Sequence, residues 1–141
     1  TTEIYTLSLH DALPIFDGVL VEKMVRGSRE LVIGLSQDSS FGPCVMFGLG
    51  GIFTEALKDV TFRVAPLTKQ DALEMIDEIK TKKLLGEFRG SPAVDRNALA
   101  KALVGIGDLA IKYEAIAEID INPLIVCGDK PVAVDALVVL K

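Results

Sequence analysis

The hydrophobic pattern of the chain switches between two periods. Residues 30–37 (ELVIGLSQ) and 44–47 (CVMF) are apolar and β-branched enough to predict strands, with a turn cluster DSSFGP between them. Residues 19–25 are β-rich but alternate poorly, and predict a further strand ahead of these two, completing an antiparallel meander. Gly48-Leu49-Gly50-Gly51 breaks the pattern, and Phe62-Arg63-Val64 reads as a short strand stopped at Pro66. The period then lengthens. Thr68 is a helix N-cap with Asp71 three residues on, and Ala72, Leu73, Met75, Ile76 and Ile79 mark one face of a helix reaching about Lys80. A second helical piece is expected over 81–86 and a loop at 89–92 (RGSP). Asp95 caps a long helix from about Arg96 to Lys112, with Leu99, Leu103, Ile106 and Leu109 on its buried face. The remainder returns to strand character and predicts a hairpin. The order β-β-β, β-α-α, β-β predicts an α+β fold, a mostly antiparallel sheet with flanking helices.

The terminal hairpin carries the main candidate chemistry. In EIDINPL, Glu118, Asp120 and Asn122 alternate with Ile119 and Ile121, so an extended strand presents their oxygens on one face. Gly128-Asp129 is a two-residue hairpin signal. Read literally, it sets Cys127 against Lys130 and Asn122 against Asp135, with opposed Cβ atoms roughly 5 Å apart on one face. A small hard cation fits between such a pair, since Mg²⁺ in phosphate chemistry uses only one or two carboxylates. Asp135 also interrupts VAV-ALVVL, a run apolar enough for burial on both faces, where a carboxylate needs a cation or a donor. Spacing alone leaves other readings open. Asn-Pro also makes ordinary turns, an Asp also fits a solvated edge, and a three-residue turn would shift the register by one.

Three further segments offer weaker signals. VEKMVRGSRE is either a hairpin with surface charges or a nucleotide hinge. In a hinge, backbone groups near Met24 and Val25 pair with a base edge and Glu30 accepts from ribose hydroxyls. Gly48 to Gly51 is either a turn or close-packing element or a close approach to phosphate, without the Lys-Ser/Thr of a P-loop. Lys80 to Lys83 reads as a solvated helix end, while Arg26 and Arg29 read as surface charges that could also meet phosphates.

Composition narrows the classes. The chain has 141 residues, is 50% hydrophobic and carries a net charge of −5. Without a basic cluster, nucleic acid is an unsuitable partner, and no apolar run approaches a membrane span. Cys44 and Cys127 are far apart without metal-ligand spacing. They read as small buried hydrophobes and suggest a reducing cytoplasm. The first fifteen residues, TTEIYTLSLHDALPI, resemble an in-frame translation of a sequencing-adaptor oligonucleotide. Residues 1–15 are therefore treated as a non-native segment, His10 is set aside, and 16–141 is the protein domain, with natural sequence expected upstream of Phe16.

Together, GVLVEKMVRGSRELVIGL, FGPCVMFGLGGIFTEALKDVTFRVAPL and EIDINPLIV…VAVDALVVL occur in the order and wording of one family. From Gly18 onward the chain resembles the C-terminal lobe of the ATP-grasp domain of ADP-forming acyl-CoA synthetases. These are the acetate–CoA ligase (ADP-forming) enzymes, related to the succinate–CoA ligase β subunit. The resemblance implies that Glu22, Val25 and Glu30 contact ATP or ADP, Val25 mainly through its backbone. It implies that Asn122 and Asp135 are the Mg²⁺ ligands, with Asp120 standing where the family has Glu in Glu-x-Asn-Pro. It assigns no catalytic residue to this chain. It implies an acyl phosphate formed from acyl-CoA and phosphate, a histidine supplied elsewhere that accepts the phosphoryl group, and a partner in the remaining synthetase domains or an α subunit. The rest of the ATP-grasp domain, with its phosphate-gripping lysine and glycine loop, is expected outside this chain, which alone is expected not to turn over. A rival expectation is an acyl-CoA-synthetase-like regulatory or binding module of a protein lysine acetyltransferase.

Overall fold

The structure, a computed structural model, describes residues 19, 21–27, 29–51, 59–88 and 90–141. Among these residues six strands form one antiparallel sheet: β1 (Glu30–Asp38), β2 (Gly42–Leu49), β3 (Val60–Val64), β4 (Ile116–Cys127), β5 (Lys130–Ala133) and β6 (Ala136–Leu140). Their order is β3-β2-β1-β4-β5, and β6 pairs with β4 beyond the end of β5. Among the described residues two helices, α1 (Lys69–Glu78) and α2 (Arg96–Lys112), pack on each other and on the sheet, with a short 3₁₀ helix (Lys82–Leu85) between them.

Local chemistry accounts for the helix ends. The Thr68 hydroxyl accepts from the Asp71 N–H at 3.1 Å while the Asp71 carboxylate accepts from the Thr68 N–H at 2.8 Å, a complete capping box. Asp95 caps α2 by accepting from the Ala98 N–H at 3.0 Å. The lysine run ends α1 as expected, with Lys82 Nζ donating to the Asp77 carbonyl at 2.8 Å.

The core lies between the helices and one face of the sheet. Leu31, Ile33 and Leu35 of β1 and Val45 and Phe47 of β2 join Met75, Ile76, Leu99 and Leu103 in one buried cluster. The opposite face of the sheet has no layer over it among the described residues. Leu109 departs from expectation: it is exposed, and Ala110 takes the buried position. The buried stripe runs Leu99, Leu103, Ile106, Ala110, which leaves Leu109 off its axis.

The strand expected at 19–25 does not form among the described residues. Val19, Val21 and Met24 are exposed and find no ladder partner, and a strand exists only as part of one. The meander is instead built by β1, β2 and β3. The two cysteines are free and half-buried rather than fully buried.

Candidate functional site

The hairpin register is the one the two-residue turn dictates. Cys127 faces Lys130 and Leu124 faces Ala133, and β6 continues the register with Ile121 against Ala136 and Asp120 against Leu137. Between the two ladders, the Asn122 N–H donates to the Asp135 carbonyl at 3.3 Å and the Val134 N–H to the Pro123 carbonyl at 3.1 Å. Asn122 and Asp135 therefore oppose each other, and opposed residues share a face. Asn-Pro is not a turn here, because β4 runs through it. On the β1 side Leu31 pairs with Leu124 and Ile33 with Ile121, so Asn122 and Pro123 together oppose Val32. That two-for-one step is a β-bulge. It accommodates a proline, which cannot donate to a ladder, and it re-aims the neighbouring side chain.

Asp135 is not buried. All of β6 is exposed, with Leu137 at 58% and Leu140 at 65%, because β6 is a sheet edge that no helix among the described residues covers. The Asp135 carboxylate is thus tolerated without a cation, and one of its oxygens accepts from the Ala136 N–H at 2.9 Å. Its candidacy as a ligand rests on its register opposite Asn122.

The uncovered face of the sheet holds a hollow of 330 Å³. Gly34, Met46, Phe62, Glu118, Asp120 and Asn122 line it. Gly34 lies directly opposite Asp120, and a Cβ there would fall 3.1 Å from the Met46 Cε. Among the described residues, no lysine or arginine lines the hollow. Phosphates brought here would face Glu118 and Asp120, so their charge must be met by a cation or by groups from another wall. Among the described residues no three His, Cys, Asp or Glu side chains gather as a metal cluster. An amide oxygen and a carboxylate on one face suit a hard cation that takes its other ligands from water and phosphate.

The other expected contacts sit at the start of β1. Glu22 is exposed, Val25 half-buried and Glu30 exposed. Residues near Arg26 lie against the end of β4: the Cys127 Sγ donates to the Arg26 carbonyl at 3.2 Å, and the Val126 N–H donates to the Arg29 carbonyl at 2.9 Å. The hinge segment and the metal-candidate hairpin are therefore tied at the Cys127 end. Gly48 to Gly51 is a close-packing element. Gly48 and Leu49 lie in β2, and a Cβ on Gly48 would fall 2.7 Å from the Asp59 carbonyl oxygen.

Two anchors escaped the sequence pattern. Arg29 is not a surface charge: it is only 8% exposed. Its guanidinium donates to the carbonyls of Leu84 (3.2 Å), Gly86 (3.0 Å), Pro92 (2.6 Å) and Gly128 (3.2 Å), fastening the hinge to the 3₁₀ helix, the following loop and the hairpin turn. Asp59, also buried, accepts from the Lys80 N–H (2.7 Å), the Thr81 N–H (2.8 Å) and the Thr81 hydroxyl. Burial pushes its carboxyl up, but these hydrogen bonds and the Lys80 charge outweigh that, and the net shift is down. Both residues bond main-chain groups far away in sequence, which no local period encodes.

An antiparallel sheet backed by two helices, with a bulged hairpin facing its open side, defines a class. Residues 6–140 match the model of the ATP-grasp domain, and the chain belongs to that family. The match begins within the first fifteen residues, which lie outside the described ones. The chain is 52% identical over 123 residues to the beta subunit of acetate–CoA ligase (ADP-forming) I of Pyrococcus furiosus, covering 87% of this chain and 53% of that subunit. It is 44% identical over 127 residues to the beta subunit of the second such ligase of that organism, covering 88% and 54%. It resembles the solved dinucleotide-forming acetyl-coenzyme A synthetase 1 of Ca. Korarchaeum cryptofilum, with a TM-score of 0.78 and 50% identity over 84% of this chain and 55% of that one. That structure is described in complex with coenzyme A and Mg-AMPPCP, its phosphohistidine segment pointing towards the nucleotide binding site. The chain spans about half the length of these relatives.

Proposed function

We propose that this chain is the nucleotide- and Mg²⁺-binding lobe of an ADP-forming acyl-CoA synthetase. The reaction converts acyl-CoA, ADP and phosphate to a carboxylic acid, ATP and CoA, reversibly, with a phosphohistidine supplied from outside this chain. The observation that carries this assignment is the register that sets Asn122 opposite Asp135 on the face of the sheet that holds the hollow. Asn122 through its amide oxygen and Asp135 through its carboxylate would hold Mg²⁺, with Asp120 beside them. When bound, the cation neutralises and orients the nucleotide phosphates. Glu30 accepts from the ribose hydroxyls, and Glu22 and the Val25 backbone fix the base. The chain's own work is binding and orientation; the opposite wall, from the remaining synthetase domains or an α subunit, supplies the positive groups lacking among the described residues of this acidic face. The relatives' names as ligases favour this assignment over an acetyltransferase-linked regulatory module.

The test is Mg²⁺-dependent ADP binding by the full-length protein carrying Asp135→Asn. The Mg²⁺ concentration for half-maximal ADP binding is expected to rise about tenfold or more. An unchanged Mg²⁺ dependence removes Asp135 from the site.

A further inference from the structure

The glycine motif bears on Glu30. The Gly50 N–H donates to the Glu30 carbonyl at 2.8 Å, and a Cβ on Gly50 would fall 2.9 Å from the Leu31 carbonyl oxygen. Gly51 has φ +69, in the left-handed region that glycine enters without a steric cost, and a Cβ there would fall 2.9 Å from Glu30 Oε2. The Glu30 carboxylate therefore lies against Gly51, in space that any side chain would take. Its backbone is pinned by one glycine and its carboxylate is seated on the next.

We propose that Gly50 and Gly51 are positioning residues for sugar recognition: they seat the Glu30 carboxylate to accept from the ribose diol of the nucleotide. This rests on the ribose role given to Glu30 above and adds the element that aims it. A hydroxyl donating to a carboxylate is a charge-assisted bond that works only at the right distance and direction. Moving the carboxylate costs the fold little, because it is the far end of a flexible side chain. The consequence falls on discrimination between nucleotides.

The experiment measures KM for ADP, 2′-deoxy-ADP and 3′-deoxy-ADP in the full-length synthetase, as wild type, Gly51→Ala, Gly51→Asn and Glu30→Ala. Asn adopts the left-handed conformation more readily than Ala, so a fold lost to backbone strain in one variant is kept in the other. Wild type is expected to favour ADP by on the order of tenfold over at least one deoxynucleotide. Both Gly51 variants are expected to lose most of that preference, as Glu30→Ala does. General damage to the fold lowers activity with every nucleotide and leaves the ratio unchanged, so the ratio isolates the positioning role. If Glu30→Ala loses the preference while the Gly51 variants keep it, the positioning role is refuted and the ribose role stands. Equal loss of affinity for all three nucleotides in the Gly51 variants also refutes it, and indicates phosphate contact by the turn. If Glu30→Ala keeps the wild-type preference, the ribose role itself falls.

Discussion

Replacing Arg29 with methionine tests whether the hinge and the hairpin are held as one piece. The guanidinium serves four carbonyls in three separate segments. Pro92 and Gly128 are exposed, so water can replace the donor there, whereas Leu84 and Gly86 are half-buried. Two acceptors left short of a donor cost about 1–3 kcal/mol each. Methionine recovers part of this, because a buried cation paired only with carbonyl dipoles carries a desolvation cost of its own. The expected net loss is about 2–4 kcal/mol. Arg29→Lys should lose a similar amount, since an ammonium keeps the buried charge but cannot fork to three segments. The loss should be local, so amide hydrogen exchange of the full-length protein is the suitable assay. The Val94 N–H bonds Leu85, the Asp95 N–H bonds Asp129 and the Val126 N–H bonds Arg29 itself. Exchange at these three amides should accelerate roughly 30- to 1,000-fold, while the centre of α2 changes less. Acceleration below about fivefold, equivalent to roughly 1 kcal/mol, would refute the anchoring role.

Further outcomes follow from other parts of the fold. Asp59→Asn should destabilise the protein at neutral pH. The folded-state pKa of Asp59 is lowered, so its contribution is present above the unfolded carboxylate range and is lost as pH falls through the folded value. The wild-type advantage in denaturant midpoint should therefore shrink below about pH 4, and a gap that widens in acid contradicts the assignment. Leu103→Ala, at a fully buried position, should cost about 2–5 kcal/mol in thermal or denaturant unfolding. Leu109→Ala, further along the same helix but off the buried stripe, should cost less than about 1 kcal/mol, and equal costs would mean the stripe is misassigned.

Much of the helical layer was legible because its signals are local. Thr68 with Asp71 and Asp95 with Ala98 are contacts three residues apart, and the apolar stripes follow from 3.6 residues per turn. The Asn122–Asp135 pairing was legible for a related reason: a two-residue turn at Gly128-Asp129 fixes every pair that follows. Where a partner had to come from elsewhere, the pattern misled. Residues 19–25 have strand composition but no ladder among those described, and the run after Asp135 is apolar enough for a core yet forms an exposed edge. Hydrophobicity records what a segment can bury, and does not record which neighbour covers it.

The sequence by itself determined the two helices, the hairpin register and, through the wording of its motifs, the ATP-grasp family. Tertiary structure decided three things. It moved Arg29 from the surface into a cage of carbonyls 55 to 99 residues away. It turned Asn122-Pro123 from a possible turn into a bulge within β4, and it seated Glu30 on Gly51. Each of these depends on where distant backbone groups arrive after the sheet assembles, and that placement comes from packing the whole domain, which no local period contains.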